Sequence, residues 1–184
     1  MPGQRYHGGS SRSIFYCATD INSPHIPLYL TRHRPFLFIM GLEIEHKYLV
    51  ANDSYKAMSE SCHEIRQGYL SRIPERVVRV RIYDDRGYLT VKGLNHGDIR
   101  QEFEYAIPRE DALEMLALCE SPVIEKRRYI VPYGDFIWEV DEFINPRRPA
   151  TAEIELPDSD TAYPLPPFVG NNVTGDPAYY NSNL

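Results

Sequence analysis

Glu43, Glu45 and Lys47, in the run Glu43-Ile44-Glu45-His46-Lys47-Tyr48-Leu49, are the residues whose types and spacing best suit chemistry. On an extended strand alternate side chains share a face, so these three project together while Leu42, Ile44 and Tyr48 point the other way. Carboxylates suit a hard divalent cation, and a lysine ammonium suits a phosphate oxygen. The alternation recurs along the chain. Arg79 and Arg81 share a face opposite Val78, Val80 and Ile82, and Lys92 closes the strand-like run from Tyr88. Glu102 and Glu104 alternate with Phe103 and Tyr105, and Lys126 and Arg128 straddle Arg127. Glu139 and Asp141 alternate with Trp138 and Val140, and Glu153 and Glu155 alternate with Ala152, Ile154 and Leu156. One face thus collects eight acids and six bases.

Alternation by itself also describes a half-buried antiparallel sheet whose charged side is wet. Two features argue for more. Acids and bases are segregated by strand, with few Ser, Thr, Asn or Gln among them, and helical signals between strands are sparse. Such a sheet is expected to curl and close its edges. The predicted fold is mainly β (α+β): a closed eight-stranded antiparallel β-barrel, with a few helices packed outside. A barrel of about eight strands has an interior just wide enough for side chains or one small ligand. Charges lining it must be paired, solvated or matched to a charged ligand. A polyanion with its metal matches both halves of the lining.

The 184 residues suit one domain, and 15 prolines with 14 tyrosines fit a turn-rich β chain. A net charge of −6 gives no electrostatic support to general nucleic-acid binding, so no nucleic-acid partner is expected. Cys17, Cys62 and Cys119 show no ligand spacing and read as reduced thiols of a cytoplasmic protein. No apolar run reaches the ~18 residues of a membrane span, so no membrane partner is expected. Residues 1–39 hold four arginines and a single acid, Asp20, without sustained periodicity. They read as a disordered extension or as sequence preceding a true start at Met40, with the working domain at 40–184. His7, His25 and His33 in this stretch show no ligand spacing.

Further expectations concern individual elements. Asn52-Asp53-Ser54 predicts a capped helix reaching about Ile65, with an extended piece from Gln67. Asp84-Asp85-Arg86-Gly87 and Pro132-Tyr133-Gly134-Asp135 predict hairpin turns. A helix is predicted over 112–120, with Leu113, Leu116 and Ala117 on its buried side. From Pro157 onward short helices and loops are expected.

The segments Glu43-Ile44-Glu45-His46-Lys47, Gln67-Gly68-Tyr69-Leu70, Arg79-Val80-Arg81, Thr90-Val91-Lys92-Gly93, Glu102-Phe103-Glu104, Lys126-Arg127-Arg128-Tyr129, Trp138-Glu139-Val140-Asp141 and Ala152-Glu153-Ile154-Glu155-Leu156 resemble, in this order, the CYTH superfamily of triphosphate tunnel metalloenzymes. The resemblance runs from about Met40 to the C-terminus and is nearest the small bacterial branch. It implies metal-dependent hydrolysis of inorganic triphosphate inside a charged tunnel. It implies that Lys47, Arg79, Arg81, Lys92, Lys126 and Arg128 grip the triphosphate. Glu43, Glu45, Glu153 and Glu155, with Asp141 as a further candidate, would hold Mg²⁺ or Mn²⁺. Tyr69 beside Lys47 would orient or deprotonate the attacking water, and Glu102 and Glu104 would brace the bases. Thiamine or nucleoside triphosphatase activity, a class IV-type adenylyl cyclase and a non-catalytic polyphosphate-binding module stay as alternatives, and the family allows a homodimer. His46, the Asn145-Pro146-Arg147-Arg148-Pro149 turn and Ala178 depart from the family pattern.

Overall fold

The computed structural model describes residues 41–184. The expectation for residues 1–39, with Cys17 and the three histidines there, lies outside the described residues. Eight strands form the body: β1 (Leu42–Val50), β2 (Ser61–Ser71), β3 (Val77–Tyr83), β4 (Arg86–Lys92), β5 (Ile99–Ile107), β6 (Glu120–Tyr133), β7 (Phe136–Asn145) and β8 (Thr151–Glu155). They pair antiparallel in the order β5-β4-β3-β2-β6-β7-β8-β1, and β1 returns to β5 through Leu42–Gln101, Glu43–Arg100 and Ile44–Ile99. That last ladder closes the barrel along Leu42–Ile44, and the far end of β1 beyond it is left as an edge. A ninth strand, β9 (Val169–Asn172), lies outside on the far end of β1.

The helix expected to reach Ile65 is a single turn, α1 (Tyr55–Met58), and β2 begins at Ser61. The reason is the ladder: Ser61 to Gln67 pair in register with Ile130 to Ile124 of β6, which outweighs a short helix that is marginal alone. The second helix, α2 (Arg109–Ala117), starts and ends earlier than expected and buries Ala112 and Leu116, leaving Leu113 and Ala117 exposed. Both hairpins turn where predicted. Asp84 takes φ +53° at the β3–β4 turn, and Gly134 takes φ +62° at the β6–β7 turn. Beyond β8, the β9 strand and two short 3₁₀ turns (Pro177–Tyr179 and Asn181–Asn183) occupy a region expected to lack strands.

The packing is inside out relative to most small domains. The apolar sides of the strands face outward and are covered from outside. Ile44, Tyr48, Val131, Trp138, Val140, Ala152 and Ile154 form one core with Tyr55 of α1 and Phe168 of the segment after β8. Val80 and Ile82 form a second core with Ala112 and Leu116 of α2. Gly68 permits that approach, because a Cβ there would lie 2.7 Å from Cys119 Cβ. The inward sides carry the charges.

Candidate functional site

Register fixes which side chains share the lumen, since directly opposed residues on neighbouring strands lie on one face. Glu43 opposes Arg100, Glu45 opposes Glu155, and Lys47 opposes Glu153. Tyr69 opposes Arg79, which opposes Thr90, which opposes Glu104. Lys92 opposes Glu102, Arg128 opposes Asp141, and Glu139 opposes Glu153. The ladder therefore brings twelve of the fourteen charges of the alternating face into these pairings, while Arg81 enters between Gln67 and Tyr88, and Lys126 enters beside Arg128 on the same face of β6. Arg127, between them, faces outward and is exposed.

The six bases, Asp141 and Glu153 are buried, Glu155 is exposed, and the other acids of this face are half-buried. Lys47 Nζ lies 2.9 Å from Glu153 and 3.4 Å from Glu45, and donates to the Tyr179 carbonyl at 3.5 Å. Arg128 grips both oxygens of Asp141 at 2.7 Å, donates to Glu153 at 3.0 Å, and also contacts Glu139. Lys126 donates to Asp141, which is wholly buried. Glu104 accepts from Arg81 at 2.7 Å, from Arg79 at 3.1 Å and from Thr90 at 2.9 Å. Lys92 lies 2.5 Å from Glu102 and 3.4 Å from Glu43.

The electrostatic consequences differ from residue to residue. Burial works against the charge of Glu43, but Lys92 and Arg100 outweigh it and hold this carboxyl well below the usual range. Burial likewise opposes the Glu153 charge, and Lys47 and Arg128 more than offset it, so Glu153 also stays ionised well below the usual range. Glu45 goes the other way, raised by burial and by the neighbouring Glu153 charge. Lys47 is raised because Glu153 and Glu45 overcome its burial. Lys126 is lowered to about 8 by burial, which its partner Asp141 only partly compensates. Tyr69 is raised by burial despite the pull of Arg79, Arg100 and Lys47, so its hydroxyl keeps its proton at neutral pH.

The donor set suits a hard cation. Glu45 is a half-buried carboxylate that meets Lys47 only at 3.4 Å, and its repulsion from the neighbouring Glu153 would be relieved by a bound cation. Among the described residues no three acid, histidine or cysteine side chains converge into a cage. Mg²⁺ needs no such cage, since it is commonly held by one or two carboxylates and completed by phosphate oxygens and water. Both Asp141 oxygens are taken by Arg128, and one also by Lys126.

Several lumen residues escaped the sequence reading. Arg100 lies 2.5 Å from Glu43, and its parity with Glu102 and Glu104 was a usable signal. Gln67 is fully buried, donates to the Tyr69 hydroxyl at 3.2 Å, and has an unpartnered carbonyl oxygen. It shares the parity of Tyr69 on β2. Tyr88, opposite Arg81, and Tyr83 place rings 5.4 and 5.7 Å from the Arg81 guanidinium. His46 faces outward, 2.5 Å from the Tyr163 hydroxyl and 3.2 Å from Asp98.

A closed antiparallel barrel with an apolar exterior and a lumen of opposed acids and bases defines a charge-lined tunnel protein. The CYTH domain model matches residues 41–172, and the chain belongs to that family. It is 49% identical over 147 residues to the inorganic triphosphatase of Acetivibrio thermocellus, which covers 79% of this chain and 94% of that one. The inorganic triphosphatase of Nitrosomonas europaea is 30% identical over 148 residues, covering 77% of this chain and 95% of that one. Among solved structures, the inorganic triphosphatase NE1496 aligns with a TM-score of 0.53 at 28% identity, over 77% of this chain and 92% of that one. The PH1012 protein from Pyrococcus horikoshii OT3 shares the fold, with a TM-score of 0.53 at 21% identity over 64% of this chain and 80% of that one. Among the described residues no helix is long and apolar enough to cross a membrane.

Proposed function

We propose that this chain hydrolyses inorganic triphosphate to phosphate and diphosphate inside the barrel, with Mg²⁺ or Mn²⁺ as cofactor. The observation that carries the reading is the lumen itself: six buried bases, each paired to a carboxylate of the same face, in a chain 49% identical to an inorganic triphosphatase.

Lys47, Arg79, Arg81, Lys92, Lys126 and Arg128 bind the phosphate oxygens. The arginine forks match two oxygens at once, and Glu104, Glu102 and Asp141 fix the planes of those forks. Glu43, Glu45, Glu153 and Glu155 are the oxygen donors for the metal. Asp141 is a candidate only if it gives up its hold on Arg128. A divalent cation held there would offset the charge that develops on the phosphate oxygens.

Lys47 and Tyr69 act on the attacking water. Both are protonated at neutral pH, so they orient the water and offset charge rather than abstract a proton. That assignment suits phosphoryl transfer, whose loose transition state asks for positioning more than for a strong base. Gln67 holds the Tyr69 hydroxyl in place.

A second reading rests on Tyr83 and Tyr88, whose rings flank Arg81 on the lumen face and offer a stacking surface for a nucleoside or thiamine group on a longer substrate. One assay separates the readings: phosphate release from inorganic triphosphate, ATP and thiamine triphosphate, with Mg²⁺, Mn²⁺ or EDTA. Metal-dependent release mainly from inorganic triphosphate, lost in Lys47→Ala and Glu43→Ala, is expected. Faster release from ATP or thiamine triphosphate would replace it with the second reading. Tight binding without turnover would make the chain a binding module, or a cyclase if cyclic AMP appeared.

A further inference from the structure

Outside the barrel, on the wall made by β6 and β7 and under the loop 146–150, lies a groove of about 420 Å³ that the tunnel chemistry does not use. Arg127, Arg147 and Arg148 line it together with Glu142, Phe143, Ile144 and Ala150. Three guanidinium groups around one hollow stand out in a chain of net charge −6.

The acid in the groove does not neutralise them. Glu142 directly opposes Arg127 across the strand pair, yet its oxygens are engaged by Lys56 Nζ at 2.7 Å, by the Tyr55 hydroxyl and by the Tyr129 hydroxyl at 3.3 Å. Lys56, shared with Asp53 at 3.2 Å, draws Glu142 away from the arginines, and three guanidinium groups against one carboxylate leave the lining with a positive excess. Neither Arg127 nor Arg147 has a carboxylate or carbonyl partner among the described residues. Arg148 is tethered by one nitrogen to the Ala178 carbonyl at 2.6 Å, which fixes its fork without neutralising it. Ile144 forms an apolar part of the lining and is 45% exposed. Apolar surface beside the guanidinium groups displaces water and strengthens any charge contact made there.

We propose that this groove is a second binding site, on the outer wall, for a small condensed phosphate. Adjacent phosphoryl groups present paired oxygens that match guanidinium forks, whereas a single carboxylate would engage one fork and leave the others unmatched. The volume suits an anion of two or three phosphoryl units rather than a folded partner. The proposal rests on the tunnel reading for the identity of the anion. Triphosphate would be the substrate visiting a second site, and diphosphate would be the product retained near the barrel. The two share one chemistry.

The test is calorimetric titration of the full chain in EDTA, where turnover is absent, with triphosphate and with diphosphate. Wild type is expected to show a tunnel class and a weaker second class. Arg127→Ala combined with Arg147→Ala should weaken the second class at least ~10-fold, from the loss of two charged hydrogen-bonding groups, and leave triphosphate hydrolysis within about twofold of wild type. The more tightly held of the two anions identifies the source. Arg127→Lys with Arg147→Lys keeps the charge and loses the forks, and should recover only part of the affinity. Identical isotherms in wild type and the alanine variant would overturn the proposal. So would full recovery by lysine, which would mean diffuse attraction, or tighter binding of an acidic peptide than of either phosphate. Failure of the tunnel reading would appear separately, as an absence of hydrolysis in wild type.

Discussion

Asp141→Asn is the sharpest probe of how the lumen is held together. The substitution keeps the shape of a side chain that is wholly buried, but removes the negative charge gripped by Arg128 at 2.7 Å twice over and by Lys126. Arg128 keeps Glu153 at 3.0 Å, whereas Lys126 loses the carboxylate that accepts its hydrogen bond. Breaking one partner of a buried ion pair typically destabilises by about 3–5 kcal/mol, because a charge is stranded out of water. Asparagine can still accept one hydrogen bond, so the loss should fall near ~3 kcal/mol. For a domain of this size that lowers Tm by roughly 6–12 °C. Triphosphate should restore much of it. With EDTA present to stop turnover, the ligand supplies negative charge where Asp141 did, so the Tm increase on adding triphosphate should exceed that of wild type. Differential scanning fluorimetry at matched ligand concentrations reads both quantities. A variant with wild-type Tm, or one that gains less from triphosphate than wild type does, would refute the view that Asp141 is the internal counter-ion of the phosphate-binding bases.

Three further outcomes are expected. Lys126, lowered to about 8, loses its charge as pH rises through that value, so kcat/KM for triphosphate should fall with an apparent pKa near 8. Its effect on stability has the opposite sign. Between about 8 and the ordinary lysine value of 10.5 the unfolded chain binds a proton that the folded chain has lost, so this group makes stability rise with pH. An alkaline activity loss accompanied by a matching fall in Tm would therefore point to unfolding, not to Lys126. Glu104→Gln should raise KM about tenfold with a smaller change in kcat, since it frees Arg79, Arg81 and Thr90 from their shared acceptor without touching the attacking water; a kcat effect with KM unchanged would place Glu104 in the chemical step. Gly68→Ala, whose Cβ would meet Cys119 Cβ at 2.7 Å and Cys119 Sγ at 2.8 Å, should cost about 1–3 kcal/mol by pushing the end of α2 off β2, read as a lowered urea midpoint with unchanged slope.

Strand parity carried most of what the sequence disclosed. The alternation around Glu43, Arg79, Glu102, Lys126, Glu139 and Glu153 told which residues share a face, and closure followed from the scarcity of helical covers. Parity is silent on which face turns inward, and here the charged one does, against the usual preference for apolar interiors. Where the reading fell short, non-local pairing was the cause. The segment 61–65 has capping residues upstream of it and looked helical, but fourteen-residue β6 runs past it and recruits it as a strand. Leu113 falls on the apolar arc of α2 but stays exposed, while Ala112, packed with Val80 and Ile82 of β3, is buried instead. β9 has only four residues, of which Asn171 and Asn172 are poor strand formers, and it exists because β1 offers Tyr48 and Val50 as an edge. Arg100, two residues before Glu102, and Gln67, uncharged two residues before Tyr69, obey the same parity rule.

The pairing inside the barrel also bears on how a ligand can enter. A lumen with so many buried charges folds only because acids and bases satisfy one another, as Lys47 with Glu153 and Lys92 with Glu102 do. An incoming polyanion must therefore take bases away from their internal acids, and each transfer leaves a carboxylate short of positive charge. On the proposed function, a divalent cation would meet that deficit at the carboxylates, while the polyanion would meet the corresponding excess at the bases. Each ion then relieves the penalty created by the other, and by thermodynamic reciprocity each must raise the affinity of the other by the same factor. Glu45 is the residue on which this exchange turns. Already raised by Glu153 and weakly paired to Lys47 at 3.4 Å, it loses that partner first when Lys47 moves to a phosphate oxygen. On this view the acids of the tunnel serve twice, as counter-ions that let an empty barrel fold and as metal donors once the anion has displaced them, and metal dependence follows from the charge balance of the lumen.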